Sequence, residues 1–178
     1  SEREKVAKEA TDIVEELKKT LKDVHRRSKE IVERLVKKLA DVNKDSRDKA
    51  EELKKRLDDR GVDKRVKKEL EDRLRKLHRD DERIIKRLRD ELKRIEKEDR
   101  DIIRRLDKEL KDLARLLDKG LREEDVKRIA KKLEEDVRRV VRKNEEEIKK
   151  LAEEVDRVVE DNKRLVEELK RRVDEALK

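Results

Sequence analysis

The sequence predicts an all-α protein, a single-chain antiparallel up-down-up bundle of three long straight helices. Three observations carry that prediction. Apolar residues recur every eighteen positions, proline is absent, and the two glycines, Gly61 and Gly120, divide the 178 residues into near-equal thirds. Eighteen residues make about five turns of an α-helix, so a stripe repeating at that interval runs along a helix without supercoiling. The repeat is plainest in the middle third. Ile84-Ile85 returns as Ile102-Ile103, Leu88 as Leu106, Leu92 as Leu110, Ile95 as Leu113 and Asp81 as Asp99.

The first helix is expected over about 2–59. It opens on Ser1-Glu2-Arg3-Glu4, the spacing of a capping box in which the Ser hydroxyl takes an amide proton and Glu4 reaches back. Its apolar line begins Val6, Ala10, Ile13-Val14, Leu17 and Leu21 and returns eighteen residues on, spanning about the width of one buried helix face. Gly61 is placed for a left-handed C-terminal cap, and Asp63 reads as the N-cap of the next helix, expected over about 63–118. Gly120 repeats the device. The third helix, about 123–177, follows a poor cap, because Arg122 occupies a position that Ser, Asp or Asn would fill better. Glu123, Glu124 and Asp125 at least suit the positive end of the helix dipole. Short turns make successive helices antiparallel.

Six polar residues interrupt the stripes: Ser28 and Ser46, Asp81 and Asp99, Asn144 and Asn162. Each pair is eighteen apart. A buried polar group without a partner costs roughly 1–3 kcal/mol, so something must pair them. Folding back at the two turns suggests the partners. The pairs Ser28/Asp99 and Ser46/Asp81 have one and the same residue-number sum, as do Asp99/Asn144 and Asp81/Asn162. Two cross-sections are therefore predicted, Ser28-Asp99-Asn144 and Ser46-Asp81-Asn162, with one polar residue from each helix. The same reckoning puts Ala10, Leu117 and Val126 in an apolar layer. Asp accepts, Asn donates and accepts, and Ser does either, so such layers would fix helix register.

Catalysis is not the expected use of these residues. Ser28 and Asp99 have no His at their height for a Ser-His-Asp relay. Asp81 and Asp99, at ~1.5 Å per residue, stand too far apart along one helix for a carboxylate pair. A filled bundle is expected to offer no pocket. His25 and His78 fall at different heights and cannot share a metal. Each reads as a boundary residue with one ring nitrogen in water rather than as a pH switch, and Asn43, at the position equivalent to His25, reads likewise. No catalytic, cofactor-binding or metal-binding residue, and no cofactor, is expected.

Composition narrows the classes further. Charged residues make up 62% of the chain, yet 59 bases nearly balance 51 acids and the apolar residues are periodic, so order rather than disorder is expected. Without Cys there is no disulfide or thiolate chemistry. No run approaches the ~18 apolar residues of a membrane span, and the charged start lacks a signal-peptide core. The net charge of +8 is concentrated in 60–119. With no aromatic residue to stack on bases, only weak, salt-sensitive adhesion to polyanions is expected, not specific nucleic-acid binding.

The eighteen-residue repeat, the Gly-centred turns, the Glu/Lys/Arg surface and the Ser-Asp-Asn layers together resemble the parametrically designed, untwisted helical bundles with buried hydrogen-bond networks. The resemblance covers essentially the whole chain. It implies a synthetic, very stable scaffold without natural activity or localisation, soluble and cytoplasmic when expressed recombinantly, with no partner and a monomeric state. His25, His78, Asn43 and the Arg122 turn depart from that pattern. Natural spectrin-like rods are the neighbouring class, but core aromatics and a heptad drift are missing here. A designed self-associating building block or binding module is the alternative, since helices exchanged between chains would keep the same layers.

Overall fold

The computed structural model describes residues 1–60, 64–120 and 122–178. Three helices account for nearly all of them: α1 over Glu2–Asp59, α2 over Lys64–Asp118 and α3 over Glu123–Ala176. Among the described residues no strand occurs, and the fold is an all-α three-helix bundle. Gly61 and Asp63, the expected first turn, lie outside the described residues. The helices form because Ala, Leu, Glu, Lys and Arg, all good helix formers, fill them without a proline. Where a β-branched hydroxyl intrudes it bonds back one turn, Thr11 Oγ1 donating to the Ala7 carbonyl at 2.8 Å and Thr20 Oγ1 to that of Glu16 at 3.0 Å.

The helix ends use local chemistry. Ser1 Oγ accepts from the Glu4 amide at 3.3 Å, and the Ser1 carbonyl accepts from the Lys5 amide at 3.2 Å. The Glu4 carboxylate lies 3.7 Å from the Ser1 ammonium group, completing the box. At the far end of α2, Gly120 has φ of 97°, and its amide donates to the Leu117 carbonyl at 3.1 Å. The Arg122 carbonyl accepts from the amides of Asp125 and Val126 at 3.1 and 3.2 Å, which makes Arg122 the N-cap of α3 through its backbone alone.

The chain condenses into two compact units, one of Ser1–Ile31 with Glu91–Ile148 and one of Val32–Asp90 with Lys149–Lys178. The first unit holds two apolar clusters. Val6, Ala10, Leu113, Leu117 and Val126 form one; Val14, Leu17, Leu21, Leu106 and Val137 form the other. Between these clusters the numbers rise along α1 and α3 and fall along α2, so α2 runs antiparallel to its neighbours. The cluster that joins Ala10, Leu117 and Val126 is the apolar layer read from the sequence. In the second unit Ala50, Leu53 and Leu57 of α1 meet Leu70 and Leu74 of α2 and Leu169 and Val173 of α3. Ion pairs trace the register there: Lys38 with Asp156 and Arg56 with Asp174 advance together along α1 and α3. Arg73 with Glu168 and Arg87 with Glu154 run oppositely along α2 and α3.

Candidate functional site: the buried polar residues

Burial follows the eighteen-residue interval. Leu21, Leu39 and Leu57 are buried on α1, Leu70, Leu88 and Leu106 on α2, and Val137, Val155 and Val173 on α3. In the same setting the only buried polar or charged residues among those described are Ser28, Ser46, Asp81, Asp99, Asn144 and Asn162. Ser28, Asp99 and Asn144 belong to the first unit, the other three to the second.

In the second unit the three residues are bonded to one another. Ser46 Oγ donates to Asn162 Oδ1 at 3.1 Å. Asn162 Nδ2 donates to the Asp81 carboxylate, 3.3 Å from each oxygen, and to the Val158 carbonyl one turn back at 2.9 Å. The amide of Asn162 thereby uses its acceptor and both protons. Asp81 is fully buried, with no exposed surface. Burial pushes its carboxyl up to about 6, the Asn162 bond pulls the other way, and neighbouring Asp80 adds to the rise.

The first unit is wired differently. Among the described residues no hydrogen bond joins Ser28, Asp99 and Asn144 directly. Asn144 Oδ1 instead accepts from Arg94 Nη2 at 3.1 Å. Arg94 is the hub of a polar knot: its Nε lies 2.9 Å from Glu91 Oε1, its Nη1 2.6 Å from Glu98 Oε2, and its Nη2 also bonds Glu147 on α3. Three carboxylates hold the guanidinium charged, above its ordinary value. Arg94 keeps the Glu91 carboxyl below its usual range, whereas the nearby Glu91 carboxylate pushes Glu147 up. Asp99 is raised to about 6, by burial first and Glu98 second, with Arg94 opposing. The sequence carried a signal for this knot: Glu147 stands where the repeat otherwise places Ile129 and Leu165.

The two histidines and Asn43 are half-buried, at the edges of the stripes. Each has one buried atom without a hydrogen-bond partner: Nδ1 of His25, Oδ1 of Asn43 and Nε2 of His78. His25 Nδ1 is 3.9 Å from Asp99 Oδ2 and its Nε2 is 3.6 Å from Glu96 Oε1. His78 Nδ1 accepts from Arg47 Nε at 3.4 Å, and burial followed by the Arg47 charge lowers its proton affinity against a smaller opposing effect of Glu82.

The expectation of a surface without pockets needs correction. In the first unit a groove of about 320 Å³ runs between α2 and α3, past Ile102, Leu106, Ile129, Leu133 and Val140. A second, of about 470 Å³, lies between α1 and α3 beside Ile13, Leu17, Val137 and Val141. Valines on α3 fill less of the inter-helix space than leucines would, which leaves these furrows open. Charged residues line both, Arg105 and Glu109 in the first and the Glu134–Arg138 ion pair in the second, and neither histidine lines them. Among the described residues no group of three or more His, Asp or Glu side chains is arranged to hold a metal ion, and no helix is long and apolar enough to cross a membrane.

What the arrangement offers chemically is hydrogen bonding between helices and two buried carboxyls, Asp81 and Asp99, raised to about 6. Compared with models of protein families, with curated proteins and with solved structures, the chain matches none.

Proposed function

We propose that the chain is a synthetic structural scaffold, a single three-helix bundle without enzymatic activity, in which buried Ser, Asp and Asn residues set helix register. The observation that carries this reading is the agreement of pattern and burial: one interval of eighteen residues governs both the apolar stripes and the polar interruptions in all three helices. Repetition of that kind serves packing, not substrate recognition, because each repeat offers the same chemistry again.

The Ser46-Asp81-Asn162 layer gives the test. Asp81→Leu alone strands the Asn162 amide proton and is expected to cost about 1–3 kcal/mol in urea denaturation. Replacing Ser46, Asp81 and Asn162 together by Ala, Leu and Leu removes donors and acceptors at once, and is expected to cost less or to stabilise. Equal losses in the single and triple variants would refute a register-setting network.

A further inference from the structure

The two histidines have opposite surroundings. His25 on α1 has a carboxylate opposite each ring nitrogen, Asp99 at 3.9 Å from Nδ1 and Glu96 at 3.6 Å from Nε2, and the buried Nδ1 has no hydrogen-bond partner. A neutral imidazole has one N–H, so it donates to one carboxylate while turning a lone pair toward the other; a doubly protonated ring donates to both. Both gaps are longer than a hydrogen bond, and a small shift of the ring or of either acid closes them.

We propose that His25, Asp99 and Glu96 form a proton-operated latch between α1 and α2. A second ring proton closes Nδ1–H onto Asp99 and Nε2–H onto Glu96, and its loss releases one of the two contacts. The charges around the latch leave the ring as the group that answers these acids. On α2, Glu98 repels the Asp99 charge and Arg94 attracts it. Arg94 is already shared among Glu91, Glu98 and Glu147, and from α3 Lys143 acts on Glu91 and Glu147 rather than on Asp99. Asn144, also on α3, presents an uncharged oxygen to Arg94. On α1 the next cation, Arg26, faces Asp23.

The repeat supplies an internal control. Asn43 stands eighteen residues after His25, and Asp81 eighteen before Asp99. An amide cannot take up a proton there, so the second unit has the buried acid without the latch. His78 is no substitute, because its Nδ1 lone pair is engaged by the Arg47 guanidinium. The latch goes beyond the scaffold reading and does not depend on it, since it requires only the geometry around His25.

Carbon-detected NMR titration of the Asp81 and Asp99 carboxyls tests it, in the parent chain and in His25→Asn, which copies Asn43 into the first unit. In the parent, the charged ring is expected to hold the Asp99 carboxyl lower than it stands without the ring. In His25→Asn, Asp99 is expected to lose its proton at a pH about one unit higher than in the parent, while Asp81 stays in place. Asp99 staying in place in the variant, or shifting together with Asp81, would overturn the latch. If circular dichroism shows that His25→Asn has lost its helices, His25→Gln takes its place, with the same shift of Asp99 expected and the same outcomes overturning the latch.

Discussion

At the scale of single residues, the most consequential feature is a carboxyl buried without a cation. Asp81 is raised from an ordinary value of 3.8 to about 6, so the folded state holds a proton that the unfolded chain releases. Stability from this group is therefore fully present below about pH 4 and is lost as pH rises through about 6. Asp81→Asn mimics the protonated acid at every pH. It is expected to stabilise the protein by about 1–3 kcal/mol at pH 7 and by almost nothing at pH 4, read from urea midpoints at both values. An equal effect at the two pH values would mean that Asp81 is not a raised acid. That Asp81 and Asp99 would be buried was readable from their places in the stripe. Their different partners were not. Arg94 reaches Asn144 because Glu91, Glu98 and Glu147 steer it inward, and that convergence depends on side-chain directions on two helices, which a one-dimensional pattern does not contain.

At the scale of the helices, the ends are where single substitutions should speak most clearly. Gly120 sits at φ 97°, and a Cβ added there would meet nothing within 4 Å. The cost of Gly120→Ala is then backbone strain alone, expected at about 1–2 kcal/mol by thermal or chemical denaturation. A loss several times larger would mean that the turn is packed against something. Arg122 gives the opposite opportunity. Its carbonyl already caps α3, but its side chain has no acceptor for the free amides. Arg122→Asp supplies one beside the positive helix end, and a gain of about 0.5–1 kcal/mol is expected in the same assay. The stripes, the glycine and the weak cap could all be read in the sequence because each is a local rule. The surface pairing was less so. Acids and bases stand both three and four apart along every helix, and many pairs that form are three apart, among them Glu15 with Lys18, Asp112 with Arg115 and Asp136 with Arg139, since a short Asp or a bent Glu reaches the nearer neighbour as easily. Being exposed, such pairs add little stability and are weakened further by salt.

At the scale of the whole molecule, register is most legible where the polar interruptions of three helices meet, as Ser46, Asp81 and Asn162 do. Cross-helix contacts obey one offset within each unit. Lys18 reaches Asp107 in the first, and Lys54 meets Glu71 and Lys67 meets Asp58 in the second, each advancing on one helix as it retreats on the other. The grooves beside α3 were not legible, because they reflect how far valine falls short of filling the space between helices rather than where apolar residues stand. Register is shared by two states of assembly, a closed chain and a helix-exchanged pair. A helix donated by a second chain would meet the same partners at the same heights, so every buried layer is compatible with exchange. What separates the two states is mass. Exposed large apolar side chains are nearly lacking among the described residues, Leu116 at 36% being the one found, so a closed chain has little surface to drive association. Light scattering with refractive-index detection, needed because the chain has no Trp or Tyr, is expected to give 21.6 kDa at every concentration. A mass that doubles as concentration rises would show that helices pair between chains. In that event the scaffold would be an assembling one, and the polar layers would specify partners as well as register.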